Sequence, residues 1–217
     1  MNAEEIIQAI SKEDFDLDFF VRLAISDEQA RSEIVHLMLH HEHIMVYYHC
    51  YYVIAKASEQ CPDLFYPYWD DLVCLLEHKN SYHRDFAITI LANLTTVDKE
   101  ERFSVIFDDY FEHLHDAKFM TANGCVKNTQ KIIRNKPELK HEIMSVLLDI
   151  DNQCVYPEKQ KGLLKGSVLE IIEQVYENSE EKKALEAFIL MELNNVSPKT
   201  RKKANELALK FILLQMK

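Results

Sequence analysis

Between His36 and Gln60 the chain places five histidines, four tyrosines and a cysteine within 25 residues. Imidazoles bind transition metals, and His36 and His40, four apart, share one face of a helix, a spacing that lets two rings reach one ion. His41 and His43, with Glu42 between them, could add ligands. A convincing metal centre needs a cage of three or four side chains. Here His40, His41 and His43 fall at the end of a helix and in the loop after it, where donor side chains meet carbonyls that the helix leaves unsatisfied. The expectation is therefore no metal and no cofactor, with His36, His40 and His41 as the candidate ligands were one bound. On the following helix, Ile44, Tyr47, Tyr48, Cys50, Tyr51 and Ile54 gather on one face as expected core. Met45, His49, Tyr52, Lys56 and Glu59 form the opposite stripe, and of these His49, Tyr52 and Lys56 are candidate contact residues.

A second constellation is basic. Residues 117–136 hold five Lys and Arg and no acidic residue. Asn123, Lys127, Gln130, Lys131 and Arg134 fall along one side of a helix, and Lys203 and Lys210 lie on one side of the last helix. Such a stripe suits an acidic peptide or a nucleic-acid backbone, although like-charge runs also serve as solvated faces. Stacking aromatics, which single-stranded nucleic acid would use, are nearly missing from it. Net charge is −11, with residues 1–115 carrying 22 Asp and Glu against 8 Lys and Arg, which argues against binding of DNA by the whole surface. No nucleophile elbow, P-loop or dinucleotide fingerprint occurs. Five cysteines, odd in number and without CxxC spacing, fit a reducing compartment. The acidic start has no signal-peptide pattern, and no apolar run reaches membrane-spanning length, so a cytoplasmic chain without a membrane partner is expected.

Three glycines and five prolines leave little room for hairpins, and an all-α fold follows. Pro62, Pro137, Pro157 and Pro198 each open an amphipathic run. Ser197 reads as an N-cap, and Ser26 with Gln29 and Asp98 with Glu101 read as capping boxes. First helices should begin near Asp27, Pro62, Asp98, Pro137 and Ser179. Second helices should begin near Ile44, Ser81, Lys118, Pro157 and Pro198, a period near 38 residues that marks an α-solenoid.

The stretch FYPYWDDLVCLLEHKNSYHRDFAITILANL resembles a HEAT repeat. Pro67 stands where first helices of that family kink, Leu72, Leu75 and Leu76 form the ridge, and Arg84, Ala87, Leu91 and Leu94 match the second helix. Lys79-Asn80 replaces the turn aspartate of the family, and small residues at Gly124, Gly166, Ala204 and Ala208 mark the packing seam in other pairs. The resemblance implies a right-handed α-solenoid of about five HEAT-like helix pairs over 27–217, with residues 1–26 as an N-terminal helical cap. His41-Glu42 and His141-Glu142 resemble the His-Glu pairs of deoxyhypusine hydroxylase, but that family needs four pairs at equivalent repeat positions. Trp69 beside Asp70 and Asp71 resembles the tryptophan and aspartate pairing of HEAT-like alkylpurine glycosylases; on a first helix in the acidic half, Trp69 reads as packing and Asp70 as solvated. The expected function is a non-catalytic scaffold or adaptor holding a protein or acidic peptide on its second helices. The alternatives are a nucleic-acid-binding or repair protein and a metal-dependent enzyme.

Overall fold

The computed structural model describes residues 1–213, and these are helical with no strand among them. They fall into two compact units, Met1–Phe107 and the part from Asp108 onward. The first unit contains α1 (Ala3–Ile10), α2 (Leu17–Ser26), α3 (Glu28–His40), α4 (Ile44–Gln60), α5 (Trp69–Cys74), α6 (Ser81–Leu94) and α7 (Arg102–Val105). Helix α8 (Phe107–Phe111) begins at the boundary. The second unit continues with α9 (Phe119–Asn135), α10 (Lys140–Leu148), α11 (Ile150–Gln153), α12 (Glu158–Val175), α13 (Lys182–Met191) and α14 (Pro198–Ala208). Among the described residues no helix is long and apolar enough to cross a membrane.

Second helices start where the sequence places them, because their caps are local. Asn80 accepts the Tyr82 amide at 3.1 Å, and Ser197 accepts the Thr200 amide ahead of Pro198 at the first helical position. First helices are less regular. The run from Pro62 to Glu77 breaks into 3₁₀ turns around the six-residue α5, with Pro67 inside the second turn, since its ring cannot continue an α-helical ladder. Two capping assignments are corrected. Ser26 ends α2, and it is Asp27 that caps α3, accepting the Ala30 amide at 3.0 Å. Asp98 caps α7 without Glu101: it accepts the Arg102 and Phe103 amides at 2.9 and 3.0 Å and the Tyr66 hydroxyl at 2.7 Å. Glu101 sits in the left-handed region, φ 56°, because α7 starts only at Arg102.

Four turns ahead of second helices share one device. The residue two before the cap points its side chain at the cap's own amide. His43 donates to His41 Nδ1, Asn80 to His78 Nδ1, Lys118 to Asp116 Oδ1 and Ser197 to Asn195 Oδ1, at 3.1, 3.1, 2.7 and 2.7 Å. An imidazole nitrogen and an amide or carboxylate oxygen each close the same short ring, so three residue types write one turn.

In the first unit α4 is the central element, packed by α2, α3 and α6. Its buried face is Val46, Tyr47, His49, Cys50, Val53, Ile54 and Ala57. The expected core face is therefore corrected: Ile44 is exposed, Tyr48 and Tyr51 are half-buried, and His49 is inside. The reason is the N-terminal pair. Phe15, just ahead of α2, stacks on the His49 ring at 4.2 Å, and His49 Nδ1 donates to the Ile10 carbonyl that ends α1 at 2.6 Å. Trp69 is buried beside Tyr66, with the Arg102 guanidinium over its ring, while Asp70 stays in solvent as the partner of Arg102.

In the second unit α12 lies between α9 and α14. Gly162 and Gly166 make this possible on the α14 side. A Cβ on Gly166 would stand 2.7 Å from Thr200 Oγ1, and Thr200 donates to the Gly162 carbonyl at 2.6 Å. Gly124 has no such neighbour, so its expected place in the packing seam is corrected: nothing approaches a Cβ there within 4 Å.

Candidate partner-binding site

Helix α9 presents Phe119, Asn123, Lys127, Gln130 and Arg134 in one row, because steps of three and four residues return to the same face. That row forms one wall of two clefts. The first, of about 180 Å³, lies between Phe119, Asn123 and Lys127 of α9, Leu163, Gly166 and Ser167 of α12, and Lys199 and Thr200 of α14. The second, of about 250 Å³, is lined by Gln130, Ile133 and Arg134 of α9 and Ile171, Gln174 and Val175 of α12. The structure thus brings Asn123, Lys127, Gln130 and Arg134 to the same α9–α12 valley. Lys127 and Arg134 are exposed and lack an acidic partner among the described residues. Lys131 is half-buried and engaged within the protein, so it is not part of the exposed basic row.

Lys203 and Lys210 have their charge engaged locally. Glu173 of α12 accepts from Lys203 at 2.5 Å and from Lys210 at 3.0 Å. The two hydrogen bonds, that of Lys203 first, hold the Glu173 carboxyl below its ordinary value. Lys199 pairs with Glu170 at 3.2 Å. Glu170 and Glu173 of α12 thus engage Lys199, Lys203 and, just beyond α14, Lys210, so these three cations are less available to a partner than Lys127 and Arg134.

A third cleft, of about 540 Å³, has no counterpart in the sequence reading. It is lined by Glu158, Lys159 and Leu163 of α12 and by Val196, Ser197, Pro198 and Lys199 at the start of α14. Leu163 and Lys199 also line the 180 Å³ cleft, so the two concavities adjoin. Helical angle alone could have flagged Leu163 as an aliphatic residue off the core face. The cleft itself depends on how closely α12 meets α14, which spacing does not encode.

The remaining candidates resolve differently. Tyr52 is 42% exposed, Lys56 pairs with Asp18 at 2.6 Å, and His49 is 7% exposed and cannot serve as an outer contact. The row around Tyr52 is aromatic: Tyr48 meets Tyr52 and Tyr82 edge-on at 4.9 and 5.3 Å, and Tyr51 stacks on Phe86 at 4.2 Å. His36 and His40 are exposed with ring centroids 4.8 Å apart, while His41 is occupied in its turn. Among the described residues no three His, Cys, Asp or Glu side chains are grouped to hold a metal ion.

Thiol chemistry is also disfavoured at three of the five cysteines. Cys50, Cys125 and Cys154 are buried, and burial pushes each thiol up, away from the thiolate.

No protein-family model matches this sequence, and no curated protein matches it. Among solved structures, one described as the crystal structure of an engineered protein is similar over 94% of this chain and 94% of its own, at 14% identity and a TM-score of 0.47. A likeness at that level carries no statement about fold or function. What this surface can do follows from its own side chains: the valley offers donors, two exposed cations without an acidic partner among the described residues, and an adjoining recess partly lined by Leu163, Val196 and Pro198.

Proposed function

We propose that the chain is a right-handed α-solenoid of about five HEAT-like helix pairs, with residues 1–26 as an N-terminal cap. On this reading it is a non-catalytic scaffold or adaptor that holds an acidic peptide segment of a protein partner along α9, α12 and α14. Recurrence supports the architecture. Hydrogen bonds join residues 38 apart in both units: Tyr51 to Thr89, Asn93 to the Ala55 carbonyl, Lys140 to the Asn178 carbonyl and Thr200 to the Gly162 carbonyl. Contacts at a fixed separation link like places in successive repeats, as a one-dimensional stack requires.

The observation that carries the function is the adjoining pair of clefts, which share Leu163 and Lys199 and reach Lys127. An extended acidic segment suits such a surface better than a polyanion does. Glu170 and Glu173 stand among the α14 lysines and would repel a continuous phosphate backbone. The test is capture of partners from nuclease-treated native lysate by wild type and by a Lys127→Glu, Arg134→Glu double variant. Both residues are exposed, so folding should hold, at under about 0.5 kcal/mol each. The double variant is expected to lose the partners, and wild-type capture to weaken with added salt. Full retention by the double variant would reduce the stripe to a solvated face. Loss of every partner on nuclease treatment would instead favour the nucleic-acid reading.

A further inference from the structure

We infer that the cleft between the starts of α12 and α14 is an anchor for one bulky aliphatic side chain of an acidic partner segment. The inference rests on the scaffold reading above and deepens it by naming what the partner must carry. Its first ground is apolar. Leu163 is 42% exposed and Val196 56% exposed, and both face one concavity together with Pro198. A single exposed aliphatic residue is ordinary, but several lining one recess of 540 Å³ are not scattered surface. That volume lies within the roughly 300–1,000 Å³ range of ligand pockets, which leaves room for one bulky side chain together with its flanking backbone. Covering the exposed area of Leu163 and Val196 removes apolar surface from water.

The second ground is charge. Lys159 rims the recess with Glu158 beside it and Lys199 is held by Glu170 at 3.2 Å, while the adjoining cleft adds Lys127, exposed and without an acidic partner among the described residues. Asn123 and Ser167 stand near Lys127 as neutral donors. An occupant that fills both concavities therefore needs an apolar group at the Leu163–Val196 end and carboxylates at the Lys127 end. A purely acidic segment would leave the recess wet, and a basic one would meet the exposed Lys127 and Lys159 side chains. Complementarity of this kind selects partners as well as holding them.

The experiment uses the full chain, labelled with ¹⁵N, and two blocked glutamate-rich peptides that differ only in a central leucine or alanine. The leucine peptide should shift backbone resonances of residues 158–163 and 196–199. It should bind about tenfold or more tightly than the alanine peptide, because the recess removes its extra methylenes from water. Leu163→Asp should abolish that preference, and Leu163→Ser, a milder change, should reduce it; circular dichroism checks that both fold. Lys127→Glu should weaken both peptides alike. Equal affinity for the two peptides, shifts confined to other helices, or no binding of either would overturn the anchor. Lysate capture separates the two levels: partners lost with Lys127→Glu, Arg134→Glu but kept with Leu163→Asp would leave the scaffold standing and remove the anchor.

Discussion

The first unit fills the valley between α4 and α6 with rings, whereas the second unit leaves the valley along α9, α12 and α14 open. Between α4 and α6 lie Tyr51 and Phe86 in a stack, with Tyr48, Tyr52 and Tyr82 edge-on beside them. Between α9, α12 and α14 lie Asn123, Gly166 and Ser167, and clefts remain. The charge differs too. Residues 1–107 hold 19 Asp and Glu against 8 Lys and Arg, the whole net charge of −11, while the rest of the chain is balanced at 17 of each. Side-chain size at a few positions thus separates a ring-filled valley from an open one.

If ring packing is what closes the first valley, removing its centre should be the costliest change. Phe86 is fully buried. Phe86→Ala should cost about 3–5 kcal/mol, read as a fall in the urea midpoint. A loss below about 1 kcal/mol would mean that the aromatic wall merely covers a core made elsewhere.

The same wall should make the first unit sensitive to acid. His83 is 5% exposed, and burial first, then the neighbouring His78 ring at 4.2 Å and the charge of His40, lower its pKa from 6.5 to about 4, against a hydrogen bond to the Met38 backbone. The folded state therefore refuses a proton that the unfolded chain accepts below pH 6.5. Stability from this group is whole above that value, declines as pH falls from about 6.5 to about 4, and is flat below. The urea midpoint of His83→Asn should change less than that of wild type between pH 7 and pH 5. Parallel pH dependence in the two would remove His83 as the cause.

Glycines sharpen the comparison from the other side. Gly166→Ala would drive a Cβ into Thr200 Oγ1, and Thr200 is itself buried and tied to the Gly162 carbonyl. The expected cost is about 1–3 kcal/mol of overpacking, partly offset by the better helix propensity of alanine. Gly124→Ala meets open space and should stabilise by about 0.5–1 kcal/mol. Thermal melts of the two variants moving in the same direction would deny the close α12–α14 approach on which the clefts depend.

Legibility in the sequence followed the range of the cause. Second-helix starts at Ser81 and Pro198 were readable because Asn80 and Ser197 act within three residues. The face row Asn123, Lys127 and Arg134 was readable from helical angle. His49 was misplaced because its cover, Phe15 and the Ile10 carbonyl, comes from elements more than 30 residues away. The loss of positive charge along α14 was hidden likewise, since Glu173 reaches Lys203 and Lys210 from another helix. The recess at Leu163 was invisible for the same reason: it is a gap between helices, and a gap has no residue type.

The smallest expected effects test the turns, which the two units share, and they answer what the histidines are for. His41 and His78 in the first unit, and Asp116 and Asn195 in the second, accept the amide of the residue two ahead. If the role is acceptance alone, chemistry beyond one lone pair is irrelevant. His41→Asn and His78→Asn should stay within about 0.5 kcal/mol of wild type, and so should Asn195→Asp. Alanine at positions 41, 78 or 195 removes the acceptor and should cost about 0.5–1.5 kcal/mol, least at His41, where the bond is exposed. Asp116 is set apart, because its carboxylate is buried and faces the His113 ring at 3.4 Å, so Asp116→Ala should exceed the others. Chemical denaturation of the set, fitted with a common slope, resolves differences of this size. Asparagine costing as much as alanine at His41 would mean that the imidazole acts there as an imidazole, and would reopen metal binding beside His36 and His40.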